Sequence, residues 1–171
     1  MGIEKSNTTN QKPNSQKDDV SASRAADVYG KTAIGYGLFA GLLMGLYLLL
    51  TSSYINGSHA GVAFMKYLIL GGFIGQLLYR FKLRTPAGKT FKYGIGVGAI
   101  LTLIAALTLA VSILILNGFG EATTIKIYFS QSENEISSYV LAGVSFFECL
   151  VAGMILTFIF LQSFKEGKPA E

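Results

Sequence analysis

The sequence has few of the side chains that metal sites, disulfides and common catalytic centres use. Its 171 residues include one cysteine, one histidine, three prolines and no tryptophan. The single cysteine, Cys149, excludes an intramolecular disulfide, and the lone His59 does not make a metal site. No Ser–His–Asp set and no pair of acids at catalytic spacing is recognisable. These absences favour a protein that is not an enzyme and that needs no metal or cofactor.

Charged residues are also scarce. They make up 14% of the chain, whereas hydrophobic residues make up 51% and the mean hydropathy is +0.47. A typical soluble domain has about a quarter charged residues. The formal net charge of +4 does not indicate nucleic-acid binding, because the basic residues flank apolar segments and are interpreted as signals of membrane topology. The composition therefore predicts one all-α integral membrane domain.

Four apolar segments predict four transmembrane helices, at about 32–55, 61–81, 93–117 and 138–164. Each is near or above the ~20 residues that cross a bilayer core. None contains a proline, and a helix pairs its own backbone polar groups inside lipid. We therefore predict a four-helix bundle over residues 32–164.

Three polar stretches flank or interrupt this bundle. Residues 1–31 predict a disordered cytoplasmic tail, although a helix can begin at about Ser23 as the chain approaches the membrane. Residues 165–171 form a second cytoplasmic tail. In the outer loop 118–137, the segment TTIKIYF fits either a short strand or a segment lying on the membrane surface.

Lysine and arginine fall mainly on one side of the predicted bundle. Five lie in the N-terminal tail and five in the link between the second and third helices, whereas the first loop has none and the outer loop has only Lys126. Positive residues stay on the cytoplasmic side, so both termini are predicted to be cytoplasmic. The link cations are also candidate contacts for an anionic lipid or a polyprenyl phosphate. These candidate lipid contacts are Arg80, Lys82, Arg84, Lys89 and Lys92.

Small residues recur at helical spacing within the apolar segments. Small side chains at positions i and i+4 of a membrane helix let another helix approach closely. A mobile interface or a pathway is one interpretation, but helix packing within one bundle or between copies is favoured. The candidate packing residues are Ala33, Gly37, Gly41, Gly45, Gly71, Gly75, Gly94 and Gly98.

One acidic residue, Glu148, lies inside the fourth apolar segment, where an ionised carboxylate costs at least a few kcal/mol. Its natural partner is Lys66, whose predicted depth from the outer surface differs from that of Glu148 by roughly 7–8 Å. A lysine side chain spans much of that gap, or it can extend outward to the headgroups. Two interpretations stay open: a proton or cation site in which Glu148 titrates and Lys66 tunes it, and a structural role, as an ion pair or as a protonated carboxyl hydrogen-bonded to a neighbouring helix.

Two stretches carry a resemblance to a known family. They are the glycine-rich first helix YGLFAGLLMGLYLLL and the link YRFKLRTPAGKTFKYGIGVGAIL. Over about residues 30–164 the chain resembles the small four-helix membrane proteins grouped as domain of unknown function 4199, common in Bacteroidetes. The resemblance implies a bacterial inner (cytoplasmic) membrane location. It implies no activity and no residue roles, because the family has no established activity.

Two functional hypotheses follow. The first is a non-enzymatic membrane subunit or scaffold whose glycine stripes bind a membrane-protein partner or a second copy, in contact with membrane lipids. The alternative is a small transporter or lipid-linked-sugar accessory protein that uses Glu148, Lys66 and the basic link. Polar residues of the third helix, such as Thr102, Thr108 and Ser112, can line a path, but hydrogen bonds to their own helix backbone are favoured.

Overall fold

The computed structural model describes residues 12–54, 60–85, 89–118 and 138–165. They form four helices: α1 (Lys12–Tyr54), α2 (Ala60–Arg84), α3 (Thr90–Gly118) and α4 (Ser138–Lys165). The prediction of an all-α chain with four helices is confirmed for these residues. Residues 1–11, 55–59, 86–88, 119–137 and 166–171 lie outside the described residues, and they include His59 and nearly all of the predicted outer loop.

Three of the four helices are long and apolar enough to cross a membrane. Their apolar spans are Asp19–Thr51, Thr90–Leu116 and Tyr139–Phe164. The remaining helix, α2, has 25 residues and is about 37 Å long, so its length also suffices. Four cations (Lys66, Arg80, Lys82 and Arg84) make its described part less apolar than the other three helices.

Helix α1 begins earlier than the sequence predicts. Residues 12–31 are helical, which differs from the predicted disordered tail. Asp19 Oδ1 forms an ion pair of 2.7 Å with Lys89 Nζ. Tyr29 packs edge-on against Phe81 with ring centroids 5.6 Å apart, and its hydroxyl donates to the Arg80 carbonyl at 3.3 Å. These distant contacts order a polar segment that its own composition would leave unfolded.

The ion pair near the start of α1 gives a local prediction. Replacing Asp19 with asparagine is expected to speed hydrogen exchange of the first turns of α1, while the melting temperature of the bundle stays unchanged. Exposed ion pairs contribute little to global stability, but this one holds a segment with few apolar contacts. Hydrogen-exchange mass spectrometry measures the effect. Asp27→Asn, at an exposed position of the same helix, is the control and should leave exchange unchanged.

Helix α3 is the centre of the bundle. It packs against α1 and α4 most extensively and also contacts α2. Its buried side chains include Leu101, Ala105 and Leu109, which recur every fourth residue. The outward faces of the bundle carry large exposed apolar side chains, such as Phe64 at 67% and Phe147 at 66%. Such faces suit contact with lipid tails rather than with water.

One end of the bundle, which we call the basic end, combines aromatic rings with cations. It comprises the turn of α1 that contains Tyr29, the last turns of α2 and α4 and the first turn of α3. Ring pairs tie these elements together, and the cations of the predicted link lie in the same turns. The ring pairs are Tyr29–Phe81, Tyr79–Phe164 and Phe91–Phe158. Aromatic rings beside cations are typical of the headgroup region at a membrane surface.

Candidate intramembrane binding site

The structure brings Lys66 of α2 and Glu148 of α4 into direct contact. Lys66 Nζ lies 3.0 Å from Glu148 Oε2 and donates a hydrogen bond to it. The lysine side chain is 1% exposed and the glutamate side chain is 41% exposed. Lys66 Nζ also lies 4.8 Å from the centroid of the Tyr67 ring. The pair therefore joins a fully buried cation to a carboxylate that remains accessible from outside the bundle.

The two residues lie at the same depth. Lys66 precedes Phe81 by fifteen residues and Glu148 precedes Phe164 by sixteen, which places both about 22 to 24 Å above the aromatic rings of the basic end. The sequence predicted a depth difference of roughly 7–8 Å because it counted residues from the predicted outer ends of the two helices. Counted from the packed rings of Phe81 and Phe164, Lys66 and Glu148 differ by one residue. In a hydrocarbon core about 30 Å thick, the pair lies in the half away from the basic end.

Burial of the Lys66 ammonium group requires a nearby anion. A buried ammonium group loses most of its hydration, and only a close anion with good geometry compensates for that loss. Glu148 supplies such an anion, with its Oε2 3.0 Å from Lys66 Nζ. The pair is neutral overall, so it disturbs the apolar surroundings less than either charge alone would.

Glu148 lines an open groove between α2 and α4 with a volume of about 950 Å³. The groove extends along α4 from Val140 to Leu156, a length of about 24 Å. Its other lining side chains are apolar or aromatic, and Glu148 lies at its middle. At Gly143 an added Cβ would meet no atom within 4 Å, so this wall of the groove is open. The groove is thus an apolar surface with one carboxylate at its centre.

The glycine stripe of α1 is occupied by contacts within the chain. A Cβ added at Gly37 would lie 2.6 Å from the Leu101 carbonyl oxygen, and one at Gly41 would lie 2.6 Å from Thr108 Cβ. Gly45 faces Ser112 in the same way, at 2.8 Å. Ala33, the first member of the stripe, is fully buried. These residues form the seam between α1 and α3.

The other predicted packing glycines face α4. Added Cβ atoms at Gly71 and Gly75 would meet Leu156 at 3.6 Å and Phe160 at 3.0 Å. Gly94 faces Leu161 at 2.6 Å. All three positions lie in helix contacts inside the chain, and none of them lines the groove at Glu148.

The crossing of α3 and α4 includes one residue that sequence reasoning missed. Gly98 of α3 packs against Thr157, and Gly153 of α4 packs against Thr102. The two contacts are reciprocal, since each helix offers a glycine to a threonine of the other. A signal for Gly153 exists in the sequence, because Ser145, Cys149 and Gly153 are small residues four apart. These three residues are buried, as expected for a packed seam.

The cations of the predicted lipid-contact set do not form one cluster. Lys89 pairs with Asp19, and Lys82 Nζ lies 4.9 Å from the centroid of the Phe164 ring. Arg80, Arg84 and Lys92 are exposed. The set therefore divides into two cations that hold helices together and three that face outward.

Three hydroxyl groups of α3 donate hydrogen bonds to the backbone of their own helix. Thr102, Thr108 and Ser112 each donate a hydrogen bond to the carbonyl four residues earlier, at 2.8 Å.

Among the side chains that the structure describes, no group of three His, Cys, Asp or Glu residues can hold a metal ion. A comparison with family models, curated proteins and solved structures finds no match. The resemblance to domain of unknown function 4199 therefore stays a prediction.

Proposed function

We propose that the chain is a non-enzymatic integral membrane subunit that binds a helix of another membrane protein in the groove between α2 and α4. In this proposal all four helices cross the membrane and both termini are cytoplasmic. The three long apolar helices, the exposed apolar faces and the cations and rings of the basic end support this topology. The family resemblance adds a bacterial inner membrane as the location.

A single observation carries the proposal: a half-exposed carboxylate within a surface that faces lipid. Oε2 of Glu148 accepts from Lys66, and no other described side chain donates to this carboxylate. Hydrocarbon offers no hydrogen-bond donor, and an unsatisfied polar group there costs several kcal/mol. A donor on a bound helix would remove that cost. Because the pair with Lys66 is already neutral, a hydroxyl or amide side chain suits the site better than another cation.

A different protein suits the groove better than a second copy of this chain. Copies related by an axis along the membrane normal present each residue at an unchanged depth. The exposed hydroxyl and amide side chains of the described spans lie far from the depth of Glu148. Those in the half near the basic end are Ser21, Ser23, Thr32, Gln76, Tyr79, Gln162 and Ser163, and Tyr139 lies at the opposite end. None of them would meet Glu148 across a symmetric interface.

The groove between α2 and α4 replaces the glycine stripes as the binding surface of the proposed subunit. The hypothesis placed the partner on the glycine stripes, and the described stripes are filled by neighbouring helices of the same chain. The alternative, a transporter, requires a polar path through the bundle. Besides Glu148, the described lining of the groove has one further polar group, the Tyr67 hydroxyl, and Thr102, Thr108 and Ser112 of α3 bond to their own backbone. These groups do not form a continuous polar path.

Site-specific photo-crosslinking in living cells tests the proposal. A photoreactive residue at Val151, in the groove and 55% exposed, should give one discrete protein adduct. Val111 of α3 is the matched control, since it is a valine of similar exposure, 52%, on another face. The control should give no adduct of that size. The isosteric Glu148→Gln, introduced beside the Val151 probe, should reduce the adduct several-fold.

Three outcomes would contradict the proposal. Equal protein adducts from Val151 and Val111 would indicate random collisions in the membrane. Lipid adducts alone from Val151 would indicate a groove filled by lipid. An adduct that Glu148→Gln leaves unchanged would remove the carboxylate from the interaction.

A further inference from the structure

The last two turns of α2 carry two arginines that the bundle does not use. Arg80 and Arg84 are exposed and four residues apart, so their side chains leave the same face of the helix, one turn apart. Neither forms an ion pair with a carboxylate among the side chains that the structure describes. Two like charges at this spacing repel each other, and the repulsion is relieved by an anion between them.

The arginines are not needed to cap the end of the helix. Three of the last carbonyls of α2 already have donors. Thr85 Oγ1 donates to the Phe81 carbonyl at 2.8 Å, the Thr85 amide donates to the Lys82 carbonyl at 3.4 Å, and the Tyr29 hydroxyl donates to the Arg80 carbonyl. The guanidinium groups are therefore available to an external ligand.

We propose that Arg80 and Arg84 bind the phosphodiester group of an anionic phospholipid. The planar guanidinium offers parallel donors that match the oxygens of a phosphate, and two such groups engage one phosphodiester from two sides. Leu83 and Tyr79, which are 69% and 55% exposed, lie beside the arginines and offer apolar surface to the acyl chains. This apolar surface favours a phospholipid over a free phosphate ion as the source of the group.

The same turn of helix is fixed from both sides. Tyr29 holds its backbone from α1, and the Phe164 ring of α4 lies beneath the Lys82 ammonium group and contacts Tyr79. Lys82 is thus turned toward α4, away from the ligand proposed for the arginines. The site is a two-arginine clamp on a rigid turn, and it is separate from the groove at Glu148.

Lipid binding to the purified full-length chain tests this inference. The protein in mild detergent is titrated with phosphatidylglycerol and with phosphatidylcholine of the same acyl chains, and bound lipid is counted by native mass spectrometry. Arg80→Gln with Arg84→Gln should reduce the preference for phosphatidylglycerol about tenfold. Arg24→Gln with Lys92→Gln removes two exposed cations near the same end of the bundle and should change the preference less than about twofold.

Further variants and probes make each outcome decisive. Arg80→Lys with Arg84→Lys keeps both charges but loses the planar donors, so it should lose part of the preference while the melting temperature is unchanged. If the arginine pair and the control pair lose the preference for phosphatidylglycerol equally, the clamp is overturned, because the preference then comes from the overall positive charge at this end of the bundle. No loss in either pair would also overturn it. Displacement of the lipid by inorganic phosphate at constant ionic strength would overturn the assignment to a phospholipid.

Discussion

Replacing Glu148 with alanine is expected to destabilise the protein by about 3–5 kcal/mol. The substitution leaves the ammonium group of Lys66, whose side chain is 1% exposed, inside the bundle without its anion. Removing one partner of a buried pair costs more than the pair contributes, because the remaining charge stays desolvated. Reversible unfolding in mixed micelles measures the loss as a change in free energy of unfolding.

A double substitution separates charge from shape. Lys66→Met with Glu148→Met removes both charges and keeps side chains of similar length, and it is expected to have nearly the stability of the unchanged protein or more. A cost below about 1 kcal/mol for Glu148→Ala would contradict the prediction, since even a typical neutral hydrogen bond contributes that much. A double variant as unstable as Glu148→Ala would also contradict it, because the loss would then arise from packing.

The same double variant tests the proposed function independently of folding. It should fold, yet give no discrete adduct from the photoreactive residue at Val151, because its groove has no acceptor for a donor on the partner. A folded double variant that still forms the adduct would mean that shape alone recruits the partner.

The sequence predicts the helices well because their signal is local. Long apolar runs without proline need no tertiary information to be identified as helices. The sequence also names Glu148 as the natural partner of Lys66, since opposite charges in apolar segments have few other ways to be compensated, but the depths predicted from the helix ends leave the contact itself open. The early start of α1 was not foreseeable, because it depends on Phe81 and Lys89, which are more than fifty residues away.

The groove could not be predicted from the sequence. Helix α4 is apolar on all sides: Val144, Phe147 and Val151 face outward, and Leu141 and Leu161 face the core. Periodicity therefore does not reveal which face is packed and which faces lipid. For the same reason, the sequence identifies the small residues of the α1 stripe but not the helix that covers them.

Replacing Gly41 with alanine is expected to destabilise the bundle by about 1–3 kcal/mol, the usual cost of overpacking a close contact. The added Cβ would lie 2.6 Å from Thr108 Cβ and 2.7 Å from the Ala105 carbonyl oxygen. One of these atoms is backbone and cannot rotate away, so α1 and α3 must separate. Gly35→Ala in the same helix is the matched control, because a Cβ there would meet nothing within 4 Å. It should have almost no effect on unfolding.

A compensating change shows whether the seam lies within the chain. Thr108→Gly removes the side-chain half of the clash, so Gly41→Ala with Thr108→Gly should recover part of the stability lost in Gly41→Ala alone after allowance for the glycine in α3. The Ala105 carbonyl remains, so recovery should be incomplete. Equal stabilities for Gly41→Ala and Gly35→Ala would contradict the α1–α3 seam. Because this seam is separate from the groove, Gly41 variants should lose the partner adduct only as they unfold, whereas Lys66→Met with Glu148→Met should lose it while the chain is folded.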